Sequence, residues 1–170
     1  KQSLILKLQV IVTGMHLSSE FGLTYKEIEN DGFVIDKKVV SLLSSDTPTS
    51  ISKSISIGLI GIADALENLK PDLLLVLGDR EEAITTALVS TYMNIPLVHI
   101  GGGDRVVGNA DDQIRHAVTK LAHIHLTTNL ESKQRILRLG EQEFRVHNVG
   151  NPGLDRLMEM KKLSHSQISN

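Results

Sequence analysis

The chain has 170 residues, about one domain's worth, with 41% apolar residues and a formal net charge of -2. Aromatics are scarce at 3%, so a core must be aliphatic, as in a layered helix and sheet domain. The charge offers no basic field for nucleic acid or an anionic membrane, and the lack of Cys excludes disulfides, thiolate metal sites and cysteine nucleophiles.

No apolar run approaches ~18 residues, so no membrane span is expected. No signal peptide is visible, and the cytoplasm is the default compartment. The chain starts at Lys1 and ends in a polar run over 161–170, and both ends read as cut from something longer.

Residues 6–12 read as a strand ending at the turn Thr13-Gly14-Met15-His16. Residues 18–29 read as a short helix stopped by Asn30-Asp31-Gly32, and 33–40 as a second strand. After a loop of turn formers, Ile51, Ile55, Leu59, Ile62, Leu66 and Leu69 recur at helical spacing and predict a long helix over 49–69. Gly58 and Gly61 weaken it and suggest close packing on a strand. Residues 73–77 form a continuous apolar run, the pattern of a strand buried on both faces of a parallel sheet. Helices follow at 83–93, 112–122 and 130–139, with strands at 97–100, 124–127 and 144–149 between and after them, and a last helix opens near 154. This alternation predicts an α/β fold, a doubly wound, mostly parallel, Rossmann-like sheet with helices on both faces.

The densest chemistry lies in 99–123, where three consecutive glycines, three carboxylates, two arginines and three histidines share 25 positions. Gly78-Asp79-Arg80 and Gly101-Gly102-Gly103-Asp104 each follow a buried strand, at the edge where such sheets bind ligands. Asp79 is a candidate acid or base with the Arg80 cation beside it; the plain alternative is a helix N-cap. The three glycines suit a phosphate or sugar cradle, or simply a tight turn. Asp111 and Arg115 are spaced i,i+4 at a helix start and share a flank; the alternative is a solvated ion pair. On that helix Ile114, Ala117, Val118 and Leu121 read as the buried stripe, with Asp112, His116, Thr119 and His123 opposite. His123 and His125 lack a third ligand of suitable spacing, so no metal is expected, and no Gly-x-Ser-x-Gly elbow is present.

Five segments carry a family resemblance: Val12-Thr-Gly-Met-His16, Val76-Leu-Gly-Asp-Arg80, His99-Ile-Gly-Gly-Gly-Asp104, the stretch from Asp112 to His123, and Val149-Gly-Asn-Pro-Gly-Leu-Asp155. Together they resemble the hydrolysing UDP-N-acetylglucosamine 2-epimerases, in the branch serving sialic acid synthesis. The resemblance implies one half of a two-domain, glycosyltransferase-B-like enzyme, a homo-oligomer at full length. Residues 1–155 would be the N-terminal Rossmann-like domain without its first strand, which would lie between the strands at 7–12 and 73–77. Residues 156–170 would begin the interdomain segment, and the UDP-binding C-terminal domain is absent from the sequence.

The implied reaction removes the C2 proton, eliminates UDP and adds water, giving N-acetylmannosamine and UDP with no cofactor. Asp79 and Asp111 match the family's carboxylates and Arg115 its positioning arginine. His16, Arg80, Gly101, Gly102, Gly103 and His116 join Arg115 as candidate substrate-binding residues. Many members carry Glu where this chain has Gly101, which makes Asp104 the candidate replacement acid. A UDP-sugar is the expected partner, with no nucleic acid or membrane. The alternatives are a sugar-nucleotide glycosyltransferase and a non-catalytic sugar-nucleotide-binding module.

Overall fold

The structure is a computed structural model that describes residues 6–106 and 110–159. The polar run 161–170, and with it most of the expected interdomain segment, lies outside the described residues. Six parallel strands, β1 (Ile11–Thr13), β2 (Lys37–Val39), β3 (Leu74–Leu77), β4 (Leu97–Ile100), β5 (Ile124–Thr127) and β6 (Val146–Asn148), alternate with helices. The helices are α1 (Tyr25–Asn30), α2 (Pro48–Leu69), α3 (Glu81–Tyr92), α4 (Asp111–Leu121), α5 (Leu130–Arg138) and α6 (Pro152–Glu159). This is the expected α/β, parallel, Rossmann-like pattern.

The strands form two sheets, β1-β2 and β3-β4-β5-β6, with no ladder between β1 and β3. The interruption falls between the two strands where the wound order has room for another. The first two strands are shorter than expected because β1 has β2 as its single partner and pairs only from Ile11 to Thr13. The helix expected over 18–29 is broken into a 3-10 turn at Ser19–Phe21 and the six-residue α1. Gly22 and Leu23 both take positive φ, which no α-helix continues through.

Helix α2 shows why local sequence was a good guide to this element. Thr47 caps it by accepting from the Ser50 amide, Pro48 takes the first turn, and Lys70 ends it in left-handed backbone before Pro71. Its buried residues Ile62, Ala65 and Leu66 meet Val39 of β2 and Val89 of α3, so this helix links the two sheets. Gly61 lies flat against Val39, as its spacing suggested; a Cβ there would strike the valine side chain. By length and composition alone, α2 is also long and apolar enough to cross a membrane, although its apolar residues form no unbroken run.

In β3-β4-β5-β6 each strand pairs with the next in sequence. Helices α3 and α4 pack together against β3 and β4. There Val76, Ala83, Ala87, Leu97, Val118 and Ala122 form the larger core. The other face of β3 is open: Leu73, Leu75 and Leu77 are 50%, 59% and 65% exposed. The apolar run at 73–77 is therefore not buried on both faces, because β3 is an edge strand covered from one side.

A buried charge cluster joins α4, β5 and the approach to β6. Glu141 receives Lys120, accepts from Arg145 Nη2 at 3.0 Å, and lies 3.5 Å from His125 Nε2. Burial pushes the Glu141 carboxyl up, but the Lys120 hydrogen bond and the charges of Lys120, His125 and Arg145 outweigh it and hold it below its ordinary value. Burial lowers His125, against the opposing pull of Glu141. Both groups bind protons less readily when folded than when unfolded. Stability from His125 is thus complete above about pH 6.5, and that from Glu141 above about pH 4.5; each is lost as the pH falls through the folded-state pKa. The unfolding free energy should fall between pH 7 and pH 4 in urea titrations. Glu141→Gln should cost roughly 2 kcal/mol at pH 7, less than a fully buried pair because Lys120 is half exposed. A pH-independent stability, or a neutral Gln variant, would remove this cluster from the fold's energetics.

Candidate functional site

The site forms where β3 and β4 end. Gly78, at φ +75°, turns the chain out of β3 and delivers Asp79; Gly101, also at φ +75°, turns it out of β4. Between the two turns lies Arg115 of α4, 8% exposed. Its Nη2 donates to Asp79 Oδ2, its Nη1 donates to the Gly101 carbonyl at 2.8 Å, and Nη1 also lies 3.8 Å from Asp104 Oδ2. One guanidinium thus ties together both strand exits and the helix.

This arrangement settles several local readings. Asp79 is not a helix cap: Arg80 occupies the N-cap position of α3 and makes no capping bond with its side chain. The cation that Asp79 meets is Arg115 rather than the adjacent Arg80. Arg80 turns outward, donates to Met15 Sδ at 2.7 Å and pairs with Glu82 at 3.4 Å. Nor does Arg115 form an intrahelical pair with Asp111, the plain alternative; both its ion pairs are to other elements. Asp111 opens α4 with its side chain half-buried, one turn before Arg115 and on the same flank, about 6 Å along the axis.

The buried stripe of α4 is rotated from the one expected. Arg115, Val118 and Thr119 are buried, and Ala117 is exposed. Polar residues take the inward positions because partners await them there. Thr119, fully buried, lies 3.2 Å from His99 Nδ1.

Asp104 is held by helix α5. The Thr128 and Ser132 hydroxyls both donate to its Oδ1 at 2.6 Å, while Oδ2 faces Arg115. The glycines between the two acids are needed for close approach. A Cβ on Gly102 would sit 3.0 Å from both His99 Nδ1 and Thr119 Oγ1, and one on Gly103 would strike the Ser132 carbonyl. Arg135 fixes the same turn by donating to the Gly103 carbonyl at 2.8 Å. Over Gly101 there is room: a Cβ would lie 3.7 Å from Arg115 Nη1 and Asp104 Oδ2, although the positive φ still disfavours a side chain.

The remaining candidates lie around this node. His16 is exposed in the turn after β1 and bonds Thr24 Oγ1 at 2.7 Å. His116 is half-buried on α4, 3.6 Å from Asp112. A cavity of about 270 Å³ opens beside the node, lined by Thr13, Met15, Phe21, Ser41, Arg80 and Thr85 among others. Arg80 is the candidate that borders it; Asp79 and Arg115 do not. Among the described residues no cluster of three or more His, Cys, Asp or Glu could hold a metal ion.

Four residues of the site had no role in the sequence reading: His99, Thr128, Ser132 and Arg135. Only His99 gave a signal, as a polar ring inside an otherwise apolar strand beside the glycines. Burial lowers it to about 4, against the raising effect of its bond to the Gly78 carbonyl, so it is neutral at pH 7.

A family model described as UDP-N-acetylglucosamine 2-epimerase matches residues 1–170. The chain is 49% identical over 163 residues to a hydrolysing GDP/UDP-N,N'-diacetylbacillosamine 2-epimerase of Campylobacter jejuni, covering 96% of this chain and 42% of that protein. It is 41% identical over 160 residues to the UDP-N,N'-diacetylbacillosamine 2-epimerase of Legionella pneumophila, covering 94% and 42%. The fold is shared with the UDP-GlcNAc 2-epimerase of Neisseria meningitidis bound to UDP-GlcNAc, at TM-score 0.74 and 24% identity, over 88% of this chain and 40% of that one. The chain thus spans about two fifths of the relatives' length. On the full-length family match and these identities, the chain belongs to the UDP-N-acetylglucosamine 2-epimerase family.

Proposed function

We propose that this chain supplies the sugar-handling side of a hydrolysing UDP-2-acetamido-sugar 2-epimerase. The observation that carries the reading is the Asp79–Arg115–Gly101 node at the carboxyl edge of the parallel sheet, in a chain of this family. Asp79 is the proton-transfer group. Its Oδ2 is fixed by Arg115, and its Oδ1 has no hydrogen bond from the protein among the described residues. A carboxylate held at one oxygen and free at the other can take a proton without moving.

The steps balance as an elimination followed by a hydration. A carboxylate removes the proton at C2; the C–H pair becomes the C1–C2 double bond, and UDP leaves C1 with the electrons of the C1–O bond. Water then adds to C1, and a proton returns to C2 from the opposite face, inverting that centre. Asp111, one turn from Arg115, is the candidate for the second face. Asp104 is a strut in this reading: its Oδ1 is committed to two hydroxyls of the Thr128–Ser132 turn.

The two bacillosamine relatives favour a sugar with two acetamido groups. A UDP-N-acetylglucosamine 2-epimerase of Neisseria meningitidis at 34% identity keeps the N-acetylglucosamine nucleotide as the comparison substrate. The complete gene product should release UDP and the free 2-epimer from both, with kcat/KM higher by about tenfold or more for the diacetamido sugar. The 170-residue chain alone should release neither, because orientation at C2 depends on binding energy from the nucleotide, for which this reading places the site in the missing portion. The assay is UDP release with NMR detection of the free sugar. UDP release that requires an acceptor would make the protein a transferase, and binding without release would make it a binding module.

Within that assay, Asp79→Asn should cost about a thousandfold in kcat, since an amide cannot take the proton. Asp104→Asn should stay within about fivefold, because the amide oxygen still accepts from Thr128 and Ser132. The reverse ranking would make Asp104 the working acid.

Arg115→Lys should lower kcat/KM by roughly a hundredfold. A single ammonium cannot reproduce the fork that holds Asp79 and the Gly101 carbonyl together. Near-normal kinetics in the Lys variant would show that charge alone suffices at this position.

A further inference from the structure

His99 touches both turns of the site. Its ring is fully buried under α4, and in register it stands between Val76 and His125. Nε2 lies 2.7 Å from the Gly78 carbonyl oxygen. A carbonyl only accepts, so Nε2 must carry the hydrogen. In the neutral ring Nδ1 is then an acceptor, and it takes the Thr119 hydroxyl at 3.2 Å.

The peptide this bond holds is the one that joins Gly78 to Asp79. The Gly78 amide donates to the Ile100 carbonyl at 2.9 Å, so the turn is held at its nitrogen by β4 and at its oxygen by a side chain of β4. With the peptides on both sides of Gly78 tied to β4, the backbone turn that launches Asp79 is restrained. On its other edge the ring meets Gly102, where a Cβ would come within 3.0 Å of Nδ1. Gly102 follows Gly101, whose carbonyl anchors Arg115. The same imidazole therefore braces the turn carrying the carboxylate and the turn carrying the arginine's anchor.

We propose that His99 is a positioning residue: as the Nε2-protonated tautomer it clamps the Gly78 carbonyl and so holds Asp79 in line with the sugar. It never touches substrate. This rests on the reading of Asp79 given above. Neutrality of the ring is part of the device, because a proton on Nδ1 would turn the Thr119 contact from acceptor to donor and place a charge beside Arg115 and His125. The titratable and charged groups acting on the ring are those two and Asp79.

The test uses the complete gene product, labelled with 15N-histidine. At pH 7 the His99 ring should show the Nε2-protonated neutral tautomer. His99→Leu should lower kcat by about thirtyfold with KM within threefold, and His99→Gln should recover to within about fivefold of wild type, since its amide NH2 can reach the same carbonyl. A filler role alone would make Leu as good as Gln. An Nδ1-protonated ring, full kcat in the Leu variant, or no advantage of Gln over Leu would overturn the proposal. If the Leu variant does not fold, Thr119→Val decides: losing the hydroxyl that supports the neutral ring should move the acid limb of the kcat profile to higher pH, and an unmoved limb would overturn the clamp. If the wild-type protein turns over no UDP-sugar, the epimerase reading falls. The clamp is then judged on the tautomer and on whether His99→Leu or, failing that, His99→Gln shifts the Asp79 amide resonance; an unshifted resonance overturns it.

Discussion

A single buried guanidinium organises the carboxyl edge of the larger sheet. Arg115 has been taken out of water, and a buried cation without partners would cost several kcal/mol, so each of its bonds is a requirement on the surrounding chain. One requirement is met by Asp79, one by the carbonyl of Gly101, and a third direction by Asp104. These come from the exit of β3, the exit of β4 and the loop beyond it. The arginine therefore fixes three segments relative to helix α4, and through α4 relative to the core residue Val118 beneath. Losing any one partner loosens the other two, because the guanidinium can then rotate toward what remains.

The glycines around it are the consequence. Backbone must pass close to the arginine, to the His99–Thr119 pair and to the start of α5, all within a few residues. At Gly103 the neighbouring backbone of Ser132 leaves no room for a Cβ, and at Gly102 the imidazole and hydroxyl leave little. A turn that could have been read as a ligand cradle is first a packing device. It brings two strand exits close enough for one side chain to hold both. Any sugar contact would then fall at Gly101, where the space is open.

The sequence disclosed the elements whose signals are local. Capped α2, with Thr47 and Pro48 at one end and Lys70-Pro71 at the other, and α5, capped by Asn129, stand where periodicity placed them to within a residue or two. Parallel β3, β4 and β5 were visible as short apolar runs. What failed depended on long-range partners. The pattern around Leu75 looks doubly buried, but the second face has no helix over it among the described residues. Arg80 stands next to Asp79 in the chain, yet the turn throws it toward Met15, while the cation that does reach Asp79 comes from thirty-six residues away. Thr119 and Arg115 read as solvent-facing or bordering residues on an amphipathic helix. They are buried because His99, Asp79 and the Gly101 carbonyl supply partners that no periodicity encodes. His99 was legible as a residue and silent as a role, since a histidine in a buried strand acquires meaning only from the atom its ring meets.

The two candidate acids nearest Arg115 are held differently. Asp104 spends Oδ1 on the two hydroxyls of Thr128 and Ser132, and its Oδ2 lies 3.8 Å from the arginine. Asp79 commits only Oδ2. Proton abstraction needs a carboxylate oxygen with a free lone pair and a fixed direction, and in the reading proposed above Asp79 supplies it, with its other oxygen set by the arginine's direct hydrogen bond. The fixed direction comes from behind: the arginine holds the carboxylate, while the Ile100 carbonyl and the His99 ring hold the peptides on either side of Gly78. Side chain and backbone are restrained independently. Elimination at C2 has the same requirement, since the acidified C–H must align with the breaking C1–O bond and a base free to swing would be aligned only part of the time.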